Sequence, residues 1–197
     1  MKTRIKAALP SHNLTTHSHS NLFIADYTDI KNGLGVVLFE NEPTDYKCVH
    51  ISNPKPVTIC FDGFEYNALP IETGHYSKQC ECILFPDRCN DEIDWVLFVE
   101  TKYANDFKAA FNEIFDYPNG MVTQIIETVK YFRDKKIIAP NKRVHAIVSF
   151  PNLVNEFNST IFKGDLSETD ILIQHRIIIR GTNTAKIISE KRISLLA

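Results

Sequence analysis

The chain has 197 residues, room for one domain with a sizeable core, and its 44% hydrophobic and 23% charged content is that of a folded protein rather than a disordered one. A net charge of −2 excludes a global positive field, so any nucleic-acid binding has to come from a local patch. Five unevenly spaced cysteines, no apolar leader and no run near the roughly 20 apolar residues of a membrane helix set the expectation of a reduced, cytoplasmic protein with no membrane partner.

Residues 1–20 are polar, with His12, His17 and His19 among Ser, Thr and Asn. They read as a loop or loosely held arm, with a metal pair from His17 and His19 as the alternative. Residues 21–77 carry short β-prone runs at 35–40, 47–52 and 57–61, punctuated by Asn32-Gly33, Pro43, Pro54, Pro56, Asp62-Gly63 and Pro70. This is a strand-rich N-terminal portion packed onto the rest of a single domain spanning 1–197. Two apolar strands joined by a polar turn follow within 79–103.

Beyond them, 105–116 has helical spacing, with Phe107, Ala110, Phe111, Ile114 and Phe115 on one stripe and Asn105 or Asp106 as N-cap. Pro118-Asn119-Gly120 is read as a break. A second helix is predicted over about 121–136, with Met121, Ile125, Thr128, Val129 and Phe132 inward and Gln124, Glu127, Lys130 and Tyr131 towards its other side. Residues 143–150 form a buried strand. The extension 151–197 holds a loop with a short helix, then runs at 171–180 and 185–193 around Gly181-Thr182-Asn183-Thr184, read as a C-terminal β-hairpin.

The pair of strands at 79–103 carries the chemistry. A turn centred on Asn90-Asp91 places Glu81 opposite Glu100. Alternation then gives one face Glu81, Ile83, Phe85, Val96, Phe98, Glu100 and Lys102, and the other Cys80, Cys82, Leu84, Trp95, Leu97 and Val99. Both faces are apolar in the middle, as in central strands covered on both sides. Three charged groups converging in such surroundings must compensate one another or hold a cation, and two carboxylates with a backbone carbonyl suit Mg²⁺ or Mn²⁺. Asp87, in Pro86-Asp87, is the rival acid, but the same turn sets it about 20 Å along the strand from Glu100.

On these residues the chain resembles the PD-(D/E)XK nuclease superfamily, over about residues 78–150. Gln79-Cys80-Glu81-Cys82-Ile83-Leu84 matches the first strand motif and Phe98-Val99-Glu100-Thr101-Lys102 the second. Gln124 matches the helix glutamine, and 143–150 the strand after it. The resemblance implies an α/β, restriction-endonuclease-like fold: a central mixed sheet flanked by helices. It also implies a metal-dependent nuclease in which Glu81 and Glu100 hold Mg²⁺ or Mn²⁺, Lys102 orients water or phosphate, and Gln124 positions water or a backbone phosphate. The departures are Glu81 where Asp is usual, an inserted helix at 105–116, and a first-helix acid for which Glu65 and Glu72 are the candidates.

The run Lys130, Arg133, Lys135, Lys136, Lys142 and Arg143 offers a phosphate track, with DNA preferred over RNA as the partner. Basic residues at a helix C-terminus also serve the helix dipole without any ligand. A homodimer or a protein partner is a further expectation. The function of a different class is a non-catalytic protein using the same fold as a binding or assembly platform. A zinc site from His75, Cys80, Cys82 and Cys89 is the remaining alternative, while His50 and His145 read as structural.

Overall fold

The structure is a computed structural model that describes residues 1–28, 34–89, 93–163 and 167–196. Its elements in chain order are α1 (Lys2–Ala8), β1 (Thr15–His17), β2 (Asn21–Asp26), β3 (Val36–Phe39), β4 (Val49–Ser52), β5 (Ile59–Gly63), β6 (Pro70–Glu72) and β7 (His75–Tyr76). Then come β8 (Cys82–Pro86), β9 (Leu97–Thr101), α2 (Phe107–Ala110), α3 (Tyr117–Asp134), β10 (Val144–Ser149), α4 (Asn158–Ile161), α5 (Glu168–His175), β11 (Ile177–Gly181), β12 (Thr184–Ser189) and β13 (Arg192–Leu196).

These build an α/β protein with two mixed sheets. The larger has the order β1-β5-β8-β9-β10-β11. Its first four strands pair antiparallel, and β10 runs parallel to both β9 and β11. The smaller has the order β13-β12-β4-β2-β3, with β12 parallel to β4. No helix among the described residues is long and apolar enough to cross a membrane.

Strand alternation explains the layering. Ile83, Phe85, Phe98, Ala146 and Ile179 face the helices, against Ile5 of α1 and Met121, Ile125, Val129 and Phe132 of α3. Cys82, Leu84, Leu97, Val99 and Ile147 face the opposite way, against Leu22, Ile24, Ile51 and Ile187 of the second sheet. The six-stranded sheet is therefore covered on both faces, which its near-continuous apolar strands require. Cys82 pairs with Val99, Ile83 with Phe98 and Leu84 with Leu97, the register that sets Glu81 beside Glu100. The turns expected at Asn32-Gly33 and Asn90-Asp91 lie outside the described residues.

Several expectations need correction. Residues 1–20 are not a loose arm: α1 buries Ile5 completely, and β1 joins the edge of the larger sheet. The predicted helix at 105–116 is a single turn, α2, capped by Asp106, whose side chain accepts from Ala109 N. Its apolar stripe fails because Asn112 turns the chain by accepting from Ile114 N, leaving Ile114 and Phe115 exposed. Pro118 does not break α3 but lies in its first turn, where its missing N–H has no partner to lose.

The C-terminal hairpin is β12–β13, one strand later than predicted. Ser167 caps α5, so the start of the 171–180 run is helical. Gly181 to Thr184 is a crossing between the two sheets rather than a hairpin turn. Asn183 fixes that crossing by donating to Phe150 O and Leu153 O at 3.0 and 2.9 Å and accepting from Ser149 Oγ at 2.6 Å.

Candidate active site

The predicted residues Glu81, Glu100 and Lys102 meet at one end of the larger sheet. Glu100 shares strand parity with Phe98, so it points to the helix face, and it is 0% exposed. Glu81 lies just before β8 and is held there by its N–H donating to Val99 O at 3.0 Å. Lys102 lies just past β9, its N–H donating to Ser149 O at 2.9 Å. Lys102 Nζ is 2.6 Å from Glu100 Oε1 and 3.7 Å from Glu81 Oε1, so one ammonium serves two carboxylates. Glu100 Oε2 is buried and has no hydrogen-bond partner.

Those surroundings shift the three groups. Burial first, then the neighbouring Glu100 and Asp26 carboxylates, push the Glu81 carboxyl up to about 9. Burial also raises Glu100, against the opposing pull of Lys102. Burial works against the Lys102 ammonium, yet Glu100 and Glu81 outweigh it and hold its pKa above the usual lysine value.

Asp26 is a third acid that was not anticipated. It ends β2 on the other sheet, raises both glutamates, and lines the same cleft of about 560 Å³ as Glu81, Lys102 and Gln124. Its position is fixed locally, since its N–H donates to Tyr103 Oη at 3.1 Å and its Oδ1 accepts from Thr28 N at 2.8 Å. Tyr103 in turn stacks on Tyr46 with ring centres 4.4 Å apart. The adjacency of Tyr103 to Glu100-Thr101-Lys102 is the sole local hint of this arrangement.

Gln124, on the second turn of α3, donates through Nε2 to Gln79 O at 2.8 Å, so it braces the backbone that leads to Glu81. Asp87 lies at the far end of β8, its N–H bonded to Thr58 O and its carboxylate paired with Lys2. It is not an alternative to Glu81. Neither Glu65 nor Glu72 is the additional acid: both are exposed, and Glu72 pairs with His75.

The basic run divides. Lys130, Lys135 and Lys136 are exposed near the end of α3, and Lys130 and Lys135 line a groove with Ser77, which also lines the main cleft. Lys142 is instead buried, its Nζ donating to Asp94 O at 2.6 Å, and Arg133 donates to Lys142 O at 3.0 Å. Arg143 precedes β10, at the end of the sheet opposite Glu100. Lys142 and Arg143 therefore lie outside any track through the cleft.

The zinc alternative fails on geometry. Cys80 packs with the helix-side core and Cys82 with the other, because Cys80 precedes the regular strand and its N–H is taken by Thr128 Oγ1. His17 Nδ1 and His19 Nε2 lie 3.3 and 2.8 Å from the Glu40 carboxylate, so both pair with it. Among the described residues no three His, Cys, Asp or Glu side chains are grouped to hold a metal ion by themselves. Searches of family models, curated proteins and solved structures return no match to this chain.

Proposed function

We propose that the protein is a metal-dependent nuclease of restriction-endonuclease-like fold, hydrolysing phosphodiester bonds with Glu81, Glu100 and Lys102. The observation that carries this reading is the unpartnered, fully buried Glu100 Oε2 beside an ammonium shared with Glu81. A buried carboxylate oxygen without a donor is costly unless something binds it. The order β5-β8-β9 antiparallel, then α3, then β10 parallel to β9, supports the same reading.

Two carboxylates with water and phosphate oxygens suit Mg²⁺ or Mn²⁺, which keep several such ligands. Glu81 and Glu100 would hold the ion, with Asp26 adding negative charge beside them. The ion supplies a lowered water pKa and neutralises charge on the phosphate. Lys102, kept protonated by its two acids, is placed to stabilise the developing negative charge of the transition state. Gln124 keeps the Glu81 backbone in register through Gln79 O, and Tyr103 holds Asp26.

The test is incubation with plasmid and single-stranded DNA in Mg²⁺ or Mn²⁺. Wild type should cleave at least one substrate, and Lys102→Ala and Glu100→Gln should not, while keeping a cooperative thermal transition. Failure of the wild type on every substrate would leave the fold as a non-catalytic binding platform.

A further inference from the structure

Resting on that nuclease reading, we infer that the substrate is taken single-stranded, with unpaired bases stacked on Tyr66 and Tyr76 beside the carboxylates. Both tyrosines line the cleft that holds Glu81 and Lys102, yet Tyr66 is 88% exposed and Tyr76 44%. Single exposed aromatics are ordinary on protein surfaces. Two on the walls of one polar site are a stacking platform.

The backbone that presents them is braced. The Gln79 side chain accepts from Ala68 N at 2.8 Å and donates to Glu65 O at 2.7 Å, clamping the turn that carries Tyr66. Ser77 N donates to Leu69 O at 2.9 Å, and Tyr131 Oη donates to Pro70 O at 2.9 Å, tying the β6–β7 ribbon that carries Tyr76 to α3. Both side chains are exposed on a braced backbone and belong to neither buried core. They are ready to take a flat apolar ligand at low ordering cost.

Charge favours an unpaired strand over a duplex. Two ammonium groups, Lys78 and Lys102, line the cleft together with Asp26 and Glu81, and Glu100 stands behind them. A protein that contacts about 6–10 phosphates of a duplex needs a comparable number of cations, and two of the predicted ones lie away from the cleft, Lys142 buried on Asp94 O and Arg143 at the other end of the sheet. Stacking supplies affinity without those cations and is indifferent to sequence. A second cleft of about 550 Å³ shares Tyr66 and Phe64 with the first, which gives a strand a continuous path past the Tyr66 ring.

The experiment is fluorescence anisotropy with a labelled short oligothymidine and a labelled duplex of equal length, with Ca²⁺ replacing Mg²⁺. The oligothymidine should bind about tenfold or more tightly than the duplex, and Tyr66→Ala and Tyr76→Ala should each weaken it roughly tenfold, while Tyr→Phe variants retain it. Duplex binding as tight as that of the single strand, or no loss in either alanine variant, overturns the inference. Cleavage in Mg²⁺ is run in parallel. Cleavage of duplex that ignores both tyrosines leaves the nuclease reading standing without this one. Tyrosine-dependent oligothymidine binding with no cleavage under any metal removes the nuclease reading and keeps the stacking surface.

Discussion

Asp62 and Glu100 are both 0% exposed, and each has one oxygen on a base and one without a hydrogen bond. They differ in what lies around them. Asp62 Oδ2 is 2.7 Å from His12 Nδ1, and His12 Nε2 is 3.0 Å from Ala68 O. A carbonyl only accepts, so Nε2 carries a proton. The ring bridges β5 and the 68 backbone as a closed clasp holding the N-terminal segment. Glu100 instead pairs with a half-buried lysine that it shares with Glu81, and Lys102, Glu81 and Asp26, unlike Glu100 itself, line the wall of an open cleft. Burial of a charge does not by itself mark a site; a partner shared with further acids that line a cleft does.

The largest expected effect that sharpens this contrast is on cleavage. Lys102→Ala should lower kcat by about 10²–10³ or more, the size of losing a positioned charge in a transition state, whereas His12→Ala should leave the rate per folded molecule unchanged. Single-turnover assays on both variants check this, and equal losses would erase the distinction.

Stability should respond the other way. Removing one partner of a buried pair costs about 3–5 kcal/mol, so His12→Ala should lower the midpoint of denaturant unfolding far more than Lys102→Ala. The clasp also has a pH signature. Burial opposes the imidazolium, but the Asp62 hydrogen bond and charge prevail and raise the His12 pKa above the ordinary imidazole value. Its stabilisation is thus complete below the unfolded pKa and lost as pH rises through the folded one. Melting curves between mildly acidic and mildly alkaline pH should show this decline in wild type and a shallower one in His12→Ala.

A smaller effect of opposite sign is expected at the open site. Because the folded Glu81 pKa is raised, ionising it without metal costs stability as pH climbs from the unfolded value towards about 9. In metal-free buffer above neutral pH, Glu81→Gln should melt a few degrees higher than wild type, the equivalent of ~1–2 kcal/mol in a chain of this size. Mg²⁺ should raise the wild-type midpoint and leave the variant's where it was. A lower midpoint for the metal-free variant would assign Glu81 to the fold instead. Smallest of all, Arg143→Ala, at the far end of the sheet, should change cleavage and binding by less than about twofold, as surface changes remote from a site do.

The register of β8 and β9 was readable because side-chain parity and one turn-like dipeptide suffice to align two adjacent strands. That placed Glu81, Glu100 and Lys102 together and set Asp87 apart. Asp26 was not readable, since it arrives from another sheet and no local pattern joins β2 to β9. The stripe at 105–116 misled because spacing reports what a helix could bury, while Asn112 offered the backbone a competing turn. The short α1 is stabilised by packing Ile5 rather than by propensity, which its sequence alone does not reveal. Lys142 looked like surface charge because the acceptor that buries it, Asp94 O, is a backbone atom 48 residues away.

The smaller sheet draws its strands from residues 21–52 and 184–196, with β12 laid parallel to β4. Its layer closes only when β12 reaches β4 and Thr184 pairs with His50, the kind of non-local pairing that folds slowly. Asp26 rides on β2 of that layer, whereas Glu81, Glu100 and Lys102 belong to the larger sheet. The third acid therefore reaches the other two only through the docking of one sheet on the other.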